Sequence, residues 1–505
     1  MSPTGYAAPS SDRVPPIPQP SIDQSAVVSE RDAQPTFFWY DLETTGTDPS
    51  TDRIVQFAGV RTDLSLTEIG EPIETFVHWP IDVLPDPSAC AVTGLTPQRV
   101  NRSAMPELEA YVAINRAFSQ PSTCVVGFNN LRFDDEFIRY AFYRHLLDPY
   151  AREWQNDNSR WDVIDLARAA AALRPEGIDW PMDAGLPSFR LEDLTAANGV
   201  FHDNAHDALS DVRATVGIAR LIRARQPRLF EYYYRLRDRS KVRERLSLTR
   251  PQICLHVSRM FPRERFCIAP VMPIARHPSN RNSVIVADLT KDIGPLIEWD
   301  RDRLREALFG PDRDQRPGLK EVRMNRCPFV APLGVLREQD ARRLGLDMPV
   351  VIARYDRLMQ RRDIAEKVAS MYAVDREFEP RDVDAGLYGG FFDDADRARA
   401  ADAVAQLLGG TSVPRVDFAD ARLDELLFRL RARRDESILS AAERARWLSF
   451  VAAKIIDGVG GKMTLAEFRA ALTELEAPSD LVAELASHAD SLDRLLLPRG
   501  TSTSD

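Results

Sequence analysis

The sequence of 505 residues lacks several features that define common classes of protein. It has no apolar run long enough to span a membrane, and its N-terminus lacks the basic start and apolar core of a signal peptide. Its five cysteines are scattered, and no two have C-x-x-C spacing, so neither a zinc site nor a disulfide framework is indicated. These absences predict a protein of the reducing cytoplasm that makes no contact with a membrane.

Glycine is also scarce, at 24 residues, and the sequence has no phosphate-binding loop. In the string Gly460-Gly461-Lys462, Met463 replaces the required Ser or Thr and Ile456 replaces the first glycine. These features argue against nucleoside triphosphate chemistry. The formal net charge of −10 argues against indiscriminate coating of nucleic acid.

Composition and patterning divide the chain into five segments. Residues 1–35 contain seven prolines and many polar residues, which is typical of disorder. Gln226-Pro227 ends a long helical pattern. Short apolar runs broken by Pro, Asn and Gly follow, and then an Ala-, Leu- and Arg-rich helical pattern. The predicted segments are a disordered leader at 1–35, an α/β domain at 36–226, a β-rich domain at 227–375, a helical domain at 376–497 and a loose tail at 498–505.

Strands followed by alternating helices and strands predict a mixed sheet flanked by helices in the α/β domain. The aromatic run from Thr36 predicts the first, buried strand. Further strands are predicted at Ile54–Arg61, Glu74–Trp79 and Cys124–Phe128, and helices at Pro106–Phe118, Trp161–Leu173 and Asp207–Arg225.

Two acids end the first predicted strand. Strand side chains alternate between faces, so Asp41 and Glu43 point to the same side. Two adjacent carboxylates on a core strand repel each other and lose hydration, and a divalent cation between them would remove both problems. An acidic strand end that faces solvent fits the pair equally well.

Three more groups complete a candidate site. Asp134 starts a helix directly after a predicted strand, where the helix dipole favours an ionised acid, and Asp135 is its alternative. His206 in a loop and Asp211 in the first turns of the next helix can face one cleft. Each of these residues also has an ordinary structural interpretation. Together, four carboxylates and one histidine suit two divalent metals about 4 Å apart in phosphodiester hydrolysis.

These motifs resemble the histidine-bearing branch of the DEDD exonuclease superfamily. The resemblance rests on Asp41-Leu42-Glu43, the first acid after Phe133, and His206-x4-Asp211. Longer strings resemble its bacterial exodeoxyribonuclease I family over about residues 36–450, and the resemblance weakens after Trp447. The strings are GFNNLRFDDEFIR from Gly127, DPYAREWQNDNSRWDVIDLARA from Asp148, ALRPEGIDWP from Ala172, GLPSFRLEDLTAANG from Gly185 and NAHDALSDV from Asn204.

The resemblance implies an RNase H-like exonuclease domain, then an SH3-like domain and a helical C-terminal domain. It implies that Asp41, Glu43, Asp134 and Asp211 hold two Mg²⁺ ions, with Mn²⁺ as a substitute, and that His206 is the general base. It therefore favours Asp134 over Asp135. By the same resemblance Glu43 approaches the terminal 3′ hydroxyl of the substrate and Arg190 binds substrate. Further implied DNA contacts are Arg139, Tyr150, Trp154 and Arg168.

A basic stretch lies between Arg220 and Arg250. It contains eleven Lys and Arg residues and only three acids, with Phe230 and three tyrosines interleaved. Basic and aromatic side chains together suit a flexible single strand, because its phosphates need cations and its bases stack. A solvated helix face is the alternative interpretation.

The sequence as a whole predicts a magnesium-dependent 3′-to-5′ exonuclease that degrades single-stranded DNA to 5′-mononucleotides in DNA repair and recombination. The resemblance implies a monomer whose second partner is the C-terminal tail of single-stranded-DNA-binding protein. Two other functions remain open. One is a ribonuclease of the same superfamily, and the other is a non-catalytic single-strand-binding adaptor. The presence or absence of metal-dependent mononucleotide release separates the adaptor from an enzyme.

Overall fold

The computed structural model of the chain describes residues 34–202, 207–312, 316–361, 363–373, 382–410 and 416–496. Its first region is α/β, which confirms the predicted fold class. The elements of this region are β1 (Thr36–Thr44), β2 (Ile54–Thr62), β3 (Ile73–Phe76), α1 (Pro87–Thr93), α2 (Pro97–Asn101), α3 (Glu107–Phe118), β4 (Thr123–Gly127), α4 (Asp134–Arg144), β5 (Ser159–Asp162), α5 (Val163–Leu173), β6 (Met182–Asp183), β7 (Leu186–Pro187), α6 (Leu191–Asn198) and α7 (Ala208–Arg225).

The strand β1 is the centre of a five-stranded mixed sheet in the order β3-β2-β1-β4-β5. It pairs antiparallel with β2 and parallel with β4. Phe37 and Trp39 are buried in the core on one face of the sheet, and Phe38 and Tyr40 in the core on the other. β1 pairs with β4 from Thr36 to Trp39, and its pairing with β2 continues through both Asp41 and Glu43. Its two acids are therefore held at fixed positions.

The predicted helix at Trp161–Leu173 is wrong at its start. Trp161 belongs to β5, where it pairs with Val126 of the parallel strand β4. Asp162 then caps α5, because its side chain accepts a hydrogen bond of 3.0 Å from the Ile164 amide. The apolar periodicity of the helix extends back into a fully buried strand, and periodicity alone does not separate the two.

The second region contains a five-stranded antiparallel sheet in the order β11-β10-β9-β8-β12, which confirms the predicted β-rich region. It also contains several helices. The elements are α8 (Pro227–Arg235), α9 (Arg239–Arg245), β8 (Cys254–Val257), β9 (Ile268–Arg276), β10 (Ser283–Asp288), α10 (Gly294–Glu298), α11 (Arg301–Phe309), β11 (Leu319–Arg323), β12 (Val330–Pro332), α12 (Glu338–Arg343), α13 (Met348–Met359) and α14 (Asp363–Tyr372).

The third region is helical, as predicted. Its elements are α15 (Asp394–Leu408), α16 (Ala421–Arg434), α17 (Ala441–Ile455), α18 (Leu465–Thr473) and α19 (Ser479–Leu496). The segment boundaries at residues 226 and 375 stay predictions. The predicted tail at 498–505 and all but the last two residues of the predicted leader lie outside the described residues. Within the described ranges, no helix is both long and apolar enough to cross a membrane.

A buried network of ion pairs joins the third region to the first. Arg433 of α16 bonds both oxygens of Asp82, at 3.1 and 2.8 Å, and also pairs with Asp384. Lys454 of α17 lies 2.9 Å from Asp82, and Arg53 lies 3.1 Å from Asp384. Although burial alone would raise the pKa of Asp82, Arg433 and Lys454 hold it well below its usual range. Both carboxylates therefore depend on Arg433 for their charge balance.

The Gly460-Gly461-Lys462 string contributes an ion pair to the same interface between the first and third regions. The Lys462 ammonium lies 2.9 Å from Asp86 and 3.4 Å from Asp52. Asp52 in turn accepts a hydrogen bond of 3.1 Å from the Thr45 hydroxyl, in the turn that follows β1. The third region thus reaches the turn next to the two acids of β1.

We expect Arg433→Met to lower the unfolding free energy at neutral pH by about 3–5 kcal/mol, because it leaves two buried carboxylates without their main cation. A depressed carboxyl pKa stabilises the fold above the unfolded value of about 4, so this deficit should shrink as the pH falls through that value. Urea unfolding at several pH values measures both effects. Arg469→Met is the matched control, since Arg469 pairs with Asp490 and Asp493 at the surface. Equal losses in the two variants would contradict the prediction.

Candidate active site

Three carboxylates meet at the end of β1. Asp41 and Glu43 lie on that strand, and Asp211 comes from the first turn of α7. Each offers an oxygen atom, and these atoms all lie within 4.8 Å of one another. A bulge between Glu43 and Thr44 interrupts the pairing of β1 with β2 immediately after the second acid. The strand thus presents both acids to α7 before the chain turns away.

The pKa values show that burial and mutual repulsion both oppose the ionisation of these acids. Burial, followed by the charge of Asp41 and of Asp211, raises the pKa of Glu43 to about 9. Burial and the neighbouring Asp134 and Asp211 raise the pKa of Asp41 well above its usual range. A site that disfavours its own negative charge this strongly attracts protons or cations.

Asp134 lies beside this group, at the start of α4. It is buried, and burial raises its pKa well above the usual range, with Asp135, Asp162 and Glu43 adding to the effect. The helix N-terminus was expected to favour the ionised form, but burial and like charges outweigh it. Asp134 raises the pKa of Asp41, and Glu43 in turn raises the pKa of Asp134. Asp134 therefore belongs to the same electrostatic cluster as the two β1 acids.

Asp135 has the opposite environment. Its oxygens accept hydrogen bonds from Arg152 at 2.7 Å, Arg160 at 2.6 Å and the Tyr40 hydroxyl at 2.8 Å. Although burial alone would raise the pKa of this carboxyl, Arg152 and Arg160 hold it well below its usual range. Both oxygens of Asp135 thus already accept hydrogen bonds from side chains of the first region, which favours an internal structural role for this acid.

His206, the predicted general base, lies outside the described residues. A second histidine that the sequence reasoning missed contacts Asp211. The Nε2 atom of His202 is 2.5 Å from Asp211 Oδ1, and its Nδ1 is 3.2 Å from the Thr195 hydroxyl. The only signal in the sequence is a further histidine in the loop before α7. Its contact with Asp211 depends on the path of that loop.

A large groove of about 1570 Å³ lies between the three regions. Nine arginine and lysine side chains and four acids line it, including Arg235, Arg237 and Arg239 from the predicted basic stretch. A second cleft shares Arg323 and Arg326 with the groove and is lined by Asp162. Asp162 is close enough to Asp134 to raise its pKa. The cleft that adjoins the basic groove therefore contains an electrostatic neighbour of Asp134.

Three of the predicted DNA contacts line the groove. Trp154 is 66% exposed, which makes its ring available for stacking. Tyr150 lies between the Arg139 guanidinium, 5.3 Å from its ring centroid, and the Phe391 ring at 5.8 Å. Arg139 is bound by Glu136 and Glu153 through all three of its nitrogens. Arg139 therefore stabilises the groove wall through internal ion pairs.

The other two predicted contacts lie elsewhere. Arg190 precedes α6, with a side chain that is 70% exposed and pairs with Glu192. Arg168 is buried on α5, where it bonds Asp165 at 2.8 Å and covers the Phe189 ring. The roles of these five residues in DNA binding stay predictions.

Three models of known protein families match successive stretches of the chain. The model described as "Exonuclease" matches residues 38–219, the exonuclease I SH3-like domain matches 237–374, and the exonuclease I C-terminal domain matches 381–493. The chain therefore has the three-part organisation of an exonuclease with two accessory domains.

Individual proteins agree with this class. Exodeoxyribonuclease I of Escherichia coli K12 is 46% identical over 424 residues, which are 82% of this chain and 89% of that protein. The structure of a moderately thermophilic exonuclease I from Methylocaldum szegediense has a TM-score of 0.84 and 44% identity, and the match covers 91% and 99% of the two chains. E. coli exonuclease I in complex with a dA16 oligonucleotide has a TM-score of 0.85 and 40% identity, with 92% and 100% covered. The chain belongs to the exodeoxyribonuclease I family of enzymes.

We expect the metal-free protein to lose stability as the pH rises from about 6 to about 9. Folding raises the pKa of Glu43 to about 9 from its ordinary value. The native state therefore binds more protons than the unfolded state in this interval, and its unfolding free energy falls as the pH rises. Melting curves in a chelator should show a smaller fall for Glu43→Gln. The exposed strand acid Glu74, changed to Gln, is the control, and parallel curves for all three proteins would contradict the prediction.

Proposed function

We propose that the protein is a divalent-metal-dependent exonuclease that degrades single-stranded DNA from its 3′ end and releases 5′-mononucleotides. The observation that carries this proposal is the group of Asp41, Glu43 and Asp211, whose oxygens lie within 4.8 Å of one another. From the family resemblance, the proposal includes a role in DNA repair and recombination and a monomeric state. From the cysteines and the patterning of the sequence, it includes a cytoplasmic location and domain boundaries near residues 226 and 375.

The donor set fits a hard divalent cation. Carboxylate oxygens are the ligands that Mg²⁺ and Mn²⁺ prefer, and the raised pKa values of Asp41 and Glu43 reflect burial and mutual repulsion, both of which a cation would offset. Asp41, Glu43, Asp134 and Asp211 would hold two such ions, which supply the positive charge that stabilises in-line attack on a phosphodiester. A zinc-bound form of an E. coli exonuclease I–single-stranded DNA complex, with 39% identity and a TM-score of 0.84, supports the divalent requirement.

The chain's own residues supply the remaining functions. His206 would take the proton from the attacking water, because a neutral imidazole accepts a proton near neutral pH. Glu43 would also approach the terminal 3′ hydroxyl. Asp135 would remain an internal partner of Arg152 and Arg160, whose ion pairs fix the first turn of α4 and so the position of Asp134.

The groove would bind the single strand. Its excess of cations suits the phosphates, and the exposed Trp154 and the Tyr150 ring suit the bases. Arg190 and Arg168 would also contact the strand. Arg139 would contribute by holding Glu136 and Glu153 in the wall of the groove. The dA16 complex of E. coli exonuclease I supports the substrate class. A complex named as SSB and exonuclease I, with 39% identity and a TM-score of 0.83, supports single-stranded-DNA-binding protein as a partner.

We expect Asp41→Ala to abolish cleavage while the fold and single-strand binding remain. Asp41 lies at the centre of the acid cluster, and the groove is built from other residues. Strands labelled at the 3′ or 5′ end, duplexes and RNA would each be incubated with parent and variant, with Glu74→Ala as control. Cleavage near the parental rate at saturating Mg²⁺ would overturn the site assignment. Preference for RNA would instead favour the ribonuclease.

We expect neutralisation of Arg235, Arg237 and Arg239 together to weaken single-strand binding and flatten its salt dependence. Each lost phosphate contact should reduce the slope of log affinity against log salt by about 0.7. Titrations at several salt concentrations measure the slope. The matched control replaces Arg301, Arg303 and Arg305 on α11, which do not line the groove. The same slope in both triple variants would mean that the basic stretch is only solvated.

We expect His206→Ala to lower the cleavage rate by about 10²–10⁴, the usual effect of removing a positioned base. Metal affinity should change little, because the four carboxylates remain. The low-pH limb of the rate profile should change as well, since it reports protonation of the imidazole. Rates measured against metal concentration at constant pH provide the check. Full recovery of the variant at higher metal would identify His206 as a ligand.

A further inference from the structure

His202 is a histidine that the proposed mechanism does not use. It lies in the loop between α6 and α7, and its side chain is 7% exposed. One ring nitrogen faces Asp211 and the other faces Thr195, at 2.5 and 3.2 Å. Thr195 is buried on α6, and its hydroxyl also lies 2.9 Å from the carbonyl oxygens of Leu191 and Glu192. A continuous set of polar contacts therefore runs from α6 through His202 to Asp211.

Asp211 determines that Nε2 carries a hydrogen, because the Thr195 hydroxyl at the other nitrogen can either donate or accept. An ionised carboxylate only accepts hydrogen bonds, so the Nε2 atom of His202 must donate to Asp211 Oδ1. The Nδ1 atom is engaged by the Thr195 hydroxyl, which α6 holds in place. The ring is thus restrained at both nitrogens, and its Nε2–H is directed at Asp211 Oδ1.

We infer that His202 is a positioning residue that orients the Asp211 carboxylate toward Asp41 and Glu43. The inference rests on the proposed function, in which Asp211 helps to hold a divalent cation. Asp211 raises the pKa of both β1 acids, so the three carboxylates repel one another. A carboxylate under this repulsion, 18% exposed at the rim of the site, tends to rotate toward water. A fixed donor on Oδ1 opposes that rotation before any cation binds.

The same geometry separates His202 from the proposed base. A nitrogen whose hydrogen is directed at Asp211 has no lone pair available for a water proton, and the other nitrogen faces α6. His202 therefore acts through Asp211. Outer hydrogen-bond partners of metal ligands typically contribute 10- to 100-fold to metal affinity.

Two substitutions at this position test the inference. His202→Leu removes the donor, and His202→Gln keeps an N–H at about the reach of Nε2. Mn²⁺ affinity would be measured by titration of the metal-free full-length protein, followed by kcat and KM on a 3′-labelled single strand, strand affinity in a chelator, and the melting temperature. The matched control is His277→Leu, at a histidine in the second region whose ring meets the Tyr372 ring edge-on.

We expect His202→Leu to weaken Mn²⁺ binding about 10- to 100-fold and to lower kcat, with strand affinity in the chelator unchanged. His202→Gln should recover most of both losses, because it restores the donor. A Mn²⁺ affinity and kcat within twofold of the parent in His202→Leu would overturn the inference, whatever the melting temperature. The inference would also be overturned if His202→Gln melted at the parental temperature but failed to recover the Mn²⁺ affinity and kcat lost in His202→Leu.

A parallel variant separates this result from the proposed function. Asp211→Asn should abolish cleavage and weaken Mn²⁺ binding if Asp211 is a ligand. Parental behaviour of Asp211→Asn would overturn the proposed function and the inference with it. An inactive Asp211→Asn beside a parental His202→Leu would overturn only the role of His202.

Discussion

The repulsion among the carboxylates at the end of β1 is the constraint that the surrounding fold must overcome. Asp41 and Glu43 point the same way because they are two residues apart on a strand, and α7 adds Asp211 to them. Nothing in the local chain would hold three such groups together. The pairing of β1 with β2 through both acids, and the burial of the strand on both faces, supplies the restraint. The core thus maintains an unfavourable charge arrangement that a cation can relieve.

Asp134 and Asp135 show how position within the fold decides the chemistry of neighbouring acids. Both are buried in the first turn of α4. Asp135 meets two arginines that follow it by 17 and 25 residues, and their charge keeps it ionised. Asp134 meets other carboxylates instead, and its proton affinity rises. Local sequence left the choice between the two open, because the distinction arises from Arg152 and Arg160. The family resemblance favoured Asp134, whose pKa is raised by burial and by neighbouring carboxylates.

The parts of the fold that local patterns control could be predicted from the sequence. The helices at Pro106–Phe118 and Asp207–Arg225 each begin one residue later than predicted, since caps and periodicity define them. Trp161 was misassigned because a buried strand and a buried helix share the same apolar signal. His202 was missed for a different reason: its contact with Asp211 depends on Thr195, seven residues earlier in α6. Pairings of this kind arise from tertiary structure and leave no periodic trace in the sequence.

The ion pairs between the first and third regions are a second set of buried charges that tertiary structure holds in place. Taking charges out of water is costly, so the pairs of Arg433 with Asp82 and Asp384 add little net stability over apolar packing. Their separation, however, would leave buried charges without partners. The interface therefore resists sliding or opening more than its net stability suggests. Lys462 and Asp52 carry this restraint to Thr45, two residues after Glu43. The turn beside the acid cluster is consequently held from the third region as well as by its own sheet.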